Sequence, residues 1–204
     1  MYLKFGSYLP LCYSVFMTST PVTVGQLSTQ ENVIFTVVRG LQPDQIMQLI
    51  AYANTDHDVR RFTSDARRFK DAESYAVWLK KGRTMYALTD VVGELYGVVW
   101  FGKEALPVKK DVVLETPEKY TLAIAIRIYG AARGKHLANE LIAVAKKDFF
   151  TIHPELLDYK FWLEVSADNA AAIATYKKLG MVQISQPDSA GKILMVESST
   201  PGLE

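Results

Sequence analysis

The segment from Tyr120 to Phe150 constrains the fold most, because a strand pattern changes into a helix pattern across one short loop. Apolar side chains alternate with their neighbours from Tyr120 to Ile128, as they do on one face of a β-strand. Gly130 and Gly134 interrupt that pattern, and a helix is predicted from about Lys135 to Phe150. Because a strand leads directly into a helix, the chain is expected to be neither a helical bundle nor a β-sandwich.

Strand and helix patterns also recur along the rest of the chain. Further strands are predicted at Ile34–Arg39, Thr84–Thr89, Leu95–Phe101, Lys160–Val165, Met181–Ser185 and Lys192–Glu197. Further helices are predicted from near Pro43, before Gly82, and from Asn169 to Leu179. Strands mixed with helices, with hairpins in the middle and at the end, indicate an α+β or mixed α/β fold.

The start of the chain is interpreted as an extension of a single domain that spans residues 33–204. Residues 19–32 are rich in Ser, Thr and Gln with little periodicity, which is typical of a connector. Met1–Met17 is apolar, but Pro10 interrupts it, and it is shorter than the roughly 20 residues of a membrane span. We expect this extension, residues 1–32, to be poorly ordered, with Met17 as an internal initiator; a signal peptide is the alternative.

Charge and composition exclude several classes of protein. The chain has 23 Lys plus Arg against 22 Asp plus Glu, a net charge of +1, whereas nucleic-acid-binding domains carry a clear basic excess. The single cysteine, Cys12, cannot form an internal disulfide, and three scattered histidines make no zinc cluster. We therefore expect a cytoplasmic protein without nucleic-acid, membrane or metal partners, and the sequence leaves a homodimer open.

The loop after the central strand has the chemistry of an anion site. Small residues there, including Gly130 and Gly134, let the backbone approach a phosphate, and the following helix presents free N–H groups. Arg133 and Lys135 add positive charge. The loop has neither the G-x-G-x-x-G fingerprint nor a P-loop. A plain strand-to-helix turn that uses glycine for its dihedral angles is the alternative.

A second segment, Leu163–Met181, leads from a strand into a capped helix. Asp168 or Asn169 is predicted to cap the helix. Spacings of three and four residues place Asn169, Ala172 and Tyr176 on one helical side. The alternative for Tyr176 is a core residue whose hydroxyl makes an ordinary hydrogen bond.

Together, the two segments resemble the acyl-CoA signature of the Gcn5-related N-acetyltransferase (GNAT) family. The family's Q/R-x-x-G-x-G/A loop is similar to the run Arg133-Gly134-Lys135-His136-Leu137-Ala138, in which His136 stands where the family has its central Gly. The family's second pattern is V-x-x-x-N-x-x-A-x-x-x-Y-x-x-x-G. It is matched at every fixed position by Val165, Asn169, Ala172, Tyr176 and Gly180.

The resemblance implies a fold, an activity and a set of site residues. The fold would be a central, mostly antiparallel twisted sheet of about six to seven strands flanked by about four helices. The activity would be direct transfer of an acetyl group from acetyl-CoA to a primary amine, with no metal. Backbone N–H groups at about Ile124, Ala125 and Ile126 would hold the pantetheine and the thioester oxygen. The pyrophosphate would lie on the loop residues Arg133, Gly134, Lys135, His136, Leu137 and Ala138. Asn169 would bond the pantetheine arm, and Tyr176 would protonate the CoA sulfur.

The resemblance does not identify the general base. Carboxylates on or near the predicted central strands are Glu94, Glu104, Glu115, Glu118 and Glu164. Glu115 and Glu164 rank first, and an ordinary surface carboxylate is the alternative for each. The basic stretch from Arg60 to Lys70 could steer an acidic substrate or the CoA phosphates, although a solvated helix face is the simpler interpretation.

The acceptor and even the catalytic class have alternatives. A protein N-terminus, a small metabolite or an aminoglycoside would each supply the amine partner. A non-catalytic acyl-CoA-binding sensor or interaction module on the same fold is the rival hypothesis. Tyr176 favours the enzyme, whereas His136 in the loop and the absence of an obvious base favour the module.

Overall fold

One eight-stranded sheet organises the part of the chain that the structure describes. The computed structural model describes residues 20–198, apart from the side chain of Ala131. Its strands are β1 Val22–Ser28, β2 Ile34–Arg39, β3 Arg83–Thr89, β4 Leu95–Lys103, β5 Leu122–Ile128, β6 Phe161–Ser166, β7 Met181–Gln183 and β8 Lys192–Glu197. Its α-helices are α1 Pro43–Thr55, α2 His57–Phe62, α3 Asp65–Arg68, α4 Ala72–Leu79, α5 Leu137–Ile152 and α6 Ala170–Lys178.

The sheet confirms the predicted α+β fold. Its strand order is β1-β2-β3-β4-β5-β6-β8-β7, with β5 and β6 parallel and the other neighbours antiparallel. The predicted counts of six to seven strands and four helices are low, since residues 20–198 form eight strands and six α-helices. Within these residues, no helix combines the length and the apolar character that crossing a membrane would require.

Strand β1 corrects the prediction of a connector over residues 19–32. Residues Val22–Ser28 pair antiparallel with β2, and Leu27 is buried in the core. Gly25 of β1 lies against α5, where an added Cβ would come within 2.7 Å of Val144 Cγ1. An edge strand buries only part of its side chains. The exposed polar residues of β1 therefore obscure the alternation of apolar residues that would indicate a strand. The predictions for Met1–Met17 fall outside the described residues.

Helices α2 and α3 lie in the polar, basic stretch for which a solvated helix face was the simpler interpretation, but their bounds were not predicted. Their six and four residues are too short to show a helical period. Asp56 caps α2, since its Oδ1 accepts hydrogen bonds of 3.0 Å from the N–H groups of Asp58 and Val59. Val59 then anchors α2 in the core.

Helices cover both faces of the sheet and form two hydrophobic cores. On one face, α5 and α6 pack against the strands, with Leu141 at the centre. On the other face, α1 and α4 do the same, with Trp78 buried among the strands. Strand β5 takes part in both cores, since Ile124 belongs to the first and Ala123 to the second. A ligand that lies alongside β5 therefore reaches both faces of the sheet.

Candidate functional site

Strands β5 and β6 separate after a short region of pairing. Parallel pairing joins Leu122 to Phe161 and Ala123 to Trp162. Both strands then continue, β5 paired with β4 and β6 paired with β8 on their outer sides. The remaining backbone of β5 that faces β6 is therefore open to a ligand.

The N–H groups along this open edge alternate in direction. The N–H of Leu122 donates to Lys160 O at 3.3 Å, on the β6 side. By the period of two, the N–H groups of Ile124 and Ile126 also point into the gap, and that of Ala125 points toward β4. Two of the three predicted backbone donors thus face the gap, while Ala125 contributes its side chain to the lining.

A cavity of about 1050 Å³ runs along the gap and brings most of the predicted site residues together. Those that line it are Ile124, Ala125, Ile126, Arg133, Gly134, His136, Leu137, Ala138, Glu164, Asn169 and Tyr176. Lys135 and Glu115 are not part of the lining. The volume lies at the upper end of the range for pockets that bury a drug-sized ligand.

The loop before α5 has an unusual backbone at two positions. Gly134 has a φ of +76°, and nothing lies within 4 Å of the position that a Cβ would take. His136 is the N-cap residue of α5 with a φ of +60°, and its side chain makes no capping hydrogen bond. A left-handed backbone favours Gly, so the geometry fits the glycine that the signature has at this position. The first N–H groups of α5 lack helical partners at the edge of the cavity.

The two predicted phosphate-binding cations are engaged with carboxylates. Arg133 Nη2 lies 2.7 Å from both oxygens of Asp56, and its Nη1 lies 3.2 Å from Asp58 Oδ2. Burial raises the pKa of Asp56, but the hydrogen bond from Arg133 and those from the backbone outweigh it and lower that pKa overall. Lys135 Nζ lies 3.1 Å from Glu31 Oε2. The cationic side chains are therefore engaged, as are the N–H groups of Arg133 and Lys135, which donate to Gly130 O and Ala132 O; the N–H groups at the start of α5 remain for an anion.

Tyr176 lies on α6 with its hydroxyl directed at the open edge of β5. The residue is 4% exposed and lines the cavity. Burial raises the pKa of the phenol, while the charge of Arg127 and a hydrogen bond from the Ile126 backbone lower it in part. The phenol therefore stays protonated at neutral pH and can donate a proton. Asn169 caps α6, because its Oδ1 accepts a hydrogen bond of 3.1 Å from Ala172 N.

The candidate bases occupy different surroundings. Glu164 of β6 lines the cavity, with its side chain 43% exposed and its Oε1 3.7 Å from Lys109 Nζ. Glu115 is exposed on the loop before β5, outside the lining. Glu104 lines the cavity but is paired with Arg83. Of the two carboxylates ranked first, the structure brings only Glu164 to the cavity.

The other two carboxylates lie away from the cavity. Glu94 accepts a hydrogen bond of 3.3 Å from the Tyr96 hydroxyl, and Glu118 is exposed in a 3-10 turn. Neither lines the cavity.

Cations line the cavity on the α1–α4 face of the sheet, and three of the five belong to the basic stretch from Arg60 to Lys70, whose role in steering an acidic substrate or the CoA phosphates the sequence left open. We call this part of the cavity the basic side; its cations are Arg61, Arg67, Arg68, Arg127 and Lys192. The opposite part, formed by the loop before α5 and by α6, is called the loop side. Arg61, Arg67 and Arg68 lie in that stretch, on α2 and α3, whereas Arg127 and Lys192 come from β5 and β8, so no local motif contains all five. For the two cations outside the stretch, the sequence signal is Arg127, a charge inside the apolar run Leu122–Ile128.

Two arginines of the basic side share one buried carboxylate. Arg127 Nε lies 2.7 Å from Asp65 Oδ2, and Arg68 Nη1 lies 2.6 Å from Asp65 Oδ1. The Asp65 side chain is only 2% exposed. Lys192 Nζ instead donates to the backbone oxygen of Phe62 at 2.7 Å. Within residues 20–198, no group of three or more His, Cys, Asp or Glu side chains is arranged to hold a metal ion.

Comparisons with known proteins agree with this geometry. A family model described as "Acetyltransferase (GNAT) family" matches residues 47–181. None of the curated proteins compared with the sequence matches it.

Several solved structures share the fold. The GNAT domain of PAT from S. lividans is 16% identical, with a TM-score of 0.54 over 84% of this chain and 94% of that chain. AAC(6')-Ib in complex with paromomycin and acetyl-CoA is 22% identical, with a TM-score of 0.57 over 80% of this chain and 93% of that chain. Spermidine N-acetyltransferase from Vibrio cholerae, in complex with CoA and spermine, is 18% identical, with a TM-score of 0.56 over 79% of this chain and 92% of that chain. At these identities the likeness concerns the fold.

Proposed function

The chain belongs to the acetyltransferase (GNAT) family, and from this premise we propose that it transfers an acetyl group from acetyl-CoA to a primary amine by direct attack. The observation that carries the proposal is the phenol of Tyr176, buried beside the N–H of Ile126 at the gap between β5 and β6. The phenol can donate a proton, and the Ile126 N–H, which donates to the phenol oxygen in this structure, is a backbone donor beside it; acyl transfer from a thioester needs both kinds of group.

Backbone groups would hold the donor along the loop side. The N–H groups at the start of α5 suit the negative pyrophosphate, since they lack helical partners and lie at the positive end of the helix dipole. The N–H of Ile124 suits the amide oxygens of pantetheine, and the N–H of Ile126, which would exchange the Tyr176 hydroxyl for the ligand, suits the thioester oxygen. Asn169 would bond the pantetheine arm through its amide nitrogen, because its Oδ1 already caps α6.

The chemical step would need two proton movements at named side chains. The amine nitrogen forms a bond to the carbonyl carbon of the acetyl group, and the carbon–sulfur bond breaks. The N–H of Ile126 stabilises the charge that develops on the carbonyl oxygen. Tyr176 donates its proton to the departing sulfur, and Glu164, directly or through one water, accepts the proton that the amine loses.

Binding and turnover are tested in one experiment. Acetyl-CoA at a hundredfold excess over its Kd should raise the free energy of unfolding by about 2.7 kcal/mol, and so raise Tm. CoA thiol should then be released when a panel of primary amines is added. An unchanged Tm at millimolar acetyl-CoA would refute the donor site. A raised Tm without thiol release from any amine would favour the non-catalytic acyl-CoA-binding module.

A further inference from the structure

We infer that the amine acceptor carries an anionic group, a carboxylate or a phosphate, which the basic side of the cavity binds. The inference rests on the proposed function and extends it from the donor to the class of acceptor. Acetyl-CoA would bind along the loop side. The amine must therefore approach from the basic side, across the gap between β5 and β6.

The carboxylates on the basic side are already paired with other cations. Glu104 forms an ion pair with Arg83, and Asp188 Oδ2 lies 2.9 Å from Lys109 Nζ. Lys109 Nζ also lies 3.7 Å from Glu164 Oε1. Glu104 is thus balanced by Arg83, whereas Lys109 is one cation for two carboxylates, so one negative charge of these two remains against the five cations of the basic side.

Those five cations are not neutralised in the same way. Within residues 20–198, the side chains of Arg61, Arg67 and Lys192 form no ion pair with a carboxylate. Arg68 and Arg127 share the single carboxylate of Asp65. The basic side thus holds an excess of positive charge, part of it little exposed.

Excess positive charge in a cavity has a specific consequence for ligands. A partly buried guanidinium without a full counter-charge is unfavourable, and an anionic ligand that enters the cavity supplies that charge. Arg67 and Arg61, which are exposed, attract such a ligand from solution. Spermine, present in one neighbour's complex, carries several positive charges and would be repelled here.

The same cations favour the reactive form of the amine. Acyl transfer needs a neutral amine, and nearby positive charges disfavour an ammonium group. Lys192 shows this effect on an amine of the chain itself. Burial and the charge of Arg127 lower the pKa of its ammonium, although Glu164 and Asp188 act in the opposite direction. The basic side would therefore assist deprotonation of the acceptor as well as its binding.

Two aromatic rings form an apolar surface that the acceptor would contact. Trp100 and Trp162 both line the cavity on this side. Trp162 is fixed by its Nε1, which donates to the backbone oxygen of Glu104 at 2.7 Å. The guanidinium of Arg68 lies 5.7 Å from the centre of the Trp100 ring. The carbon skeleton between the amine and the anionic group of the acceptor would contact these rings.

The first test compares amines that differ in one anionic group. O-phosphoethanolamine is paired with ethanolamine, and β-alanine with its amide, with spermine and kanamycin as polycations. Thiol release with acetyl-CoA and binding to CoA-saturated protein are both measured. We expect at least about tenfold preference for the anionic member, equivalent to 1.4 kcal/mol. A phosphate preference without a carboxylate preference, or the reverse, identifies which anion is bound.

The second test reverses the charge of single cations on the basic side. Each variant is compared with a control that changes the net charge by the same amount at a position outside the cavity lining. Arg67→Glu and Arg61→Glu should each lower kcat/KM for the anionic amine by about tenfold. Their controls are Lys70→Glu and Arg60→Glu, which alter exposed cations outside the cavity lining and should stay within about twofold of wild type. Equal effects of a variant and its control would overturn the inference.

The outcomes separate this inference from the proposed function. Turnover of spermine or kanamycin in preference to the anionic amines would keep the transferase and overturn the anionic acceptor. Failure of both anionic amines to bind CoA-saturated protein would overturn it as well. Failure of acetyl-CoA to raise Tm would refute the proposed function, and binding of the anionic amines to the protein without CoA would still report on the anion site.

Discussion

The loop side and the basic side of the cavity present different kinds of chemical group to a ligand. The loop side offers backbone N–H groups and a phenol, and its residues come from two continuous segments, 122–138 and 165–180. The basic side offers charged side chains from α2, α3, β5 and β8. Backbone groups can bind a donor whose chemistry never varies, whereas side chains select among acceptors. Changes on the loop side should therefore affect every acceptor equally, and changes on the basic side should affect acceptors differently.

The largest expected effect is that of Tyr176→Phe on the chemical step. Removing the proton donor should lower kcat by about 10² to 10⁴ with every accepted amine, with CoA affinity and Tm nearly unchanged. Tyr129→Phe is a matched control, because this buried hydroxyl has no hydrogen-bond partner in the described structure and the residue does not line the cavity. Steady-state kinetics measure both. Unaltered kcat together with about 1 kcal/mol less stability would assign Tyr176 to the core.

Asp65→Asn tests whether the basic side depends on its shared carboxylate. The variant leaves Arg68 and Arg127 without a counter-charge, so the free energy of unfolding should fall by about 3 kcal/mol. Denaturant unfolding measures the change.

The pH dependence of Asp65→Asn has a definite sign. Burial raises the pKa of Asp65, but Arg127 and Arg68 outweigh burial and lower that pKa. The stability that Asp65 contributes is therefore complete above its unfolded pKa of about 3.9 and is lost as pH falls through the lower folded pKa. The gap between wild type and variant should close in acid; a gap that stays constant down to the lowest pH would contradict this account.

Gly134→Glu tests the loop side through its backbone. A carboxylate and a left-handed Cβ at this position should weaken CoA binding by about 100-fold, or 2.7 kcal/mol. Gly82→Glu is the control, because Gly82 has a similar φ of +75°, equally open surroundings and no part in the cavity. Calorimetric titration with CoA compares them. Equal CoA affinity in the two folded variants would place the phosphates elsewhere.

The smallest expected effect is that of His136→Gly. Since the backbone N–H rather than the imidazole is expected to face the phosphate, CoA affinity should stay within about tenfold. Relief of the left-handed backbone should stabilise the protein by about 0.5 kcal/mol, because the gain of roughly 1 kcal/mol is offset by the flexibility of glycine. Asn32→Gly, at the same φ of 60° but outside the cavity, should match the gain in Tm alone. A larger loss of CoA affinity would make the imidazole a ligand.

The loop side could be anticipated from sequence because its signals are local. Alternation along β5, the glycines after it and the spacing of Asn169 and Tyr176 all lie within short windows. The structure brings these segments to one cavity. The direction of the Ala125 N–H could not be anticipated, since it depends on which neighbour pairs with each edge of β5.

The basic stretch from Arg60 to Lys70 is visible in the sequence. Its convergence with Arg127 and Lys192, and the ion pairs, could not be anticipated, because they join residues far apart in the chain. Arg133 meets Asp56 across 77 residues, and Arg127 meets Asp65 across 62. Strand β1 and the bounds of α2 and α3 were missed for a related reason. Their burial depends on neighbours supplied by β2, α1 and the core rather than on their own periodicity.

The ion pair between Arg133 and Asp56 joins the two sides energetically. Asp56 caps α2, which carries Arg61 of the basic side, while Arg133 belongs to the loop that would receive the pyrophosphate. A phosphate that competes with Asp56 for Arg133 weakens this ion pair, and the ion pair then stabilises the position of α2 less by the same free energy. Thermodynamic linkage is reciprocal. If a bound donor changes the affinity for the acceptor through α2, a bound acceptor changes the affinity for the donor by the same factor. The two substrates would then not bind independently, and the size of their interaction would be read from the factor by which bound CoA changes the affinity for the acceptor.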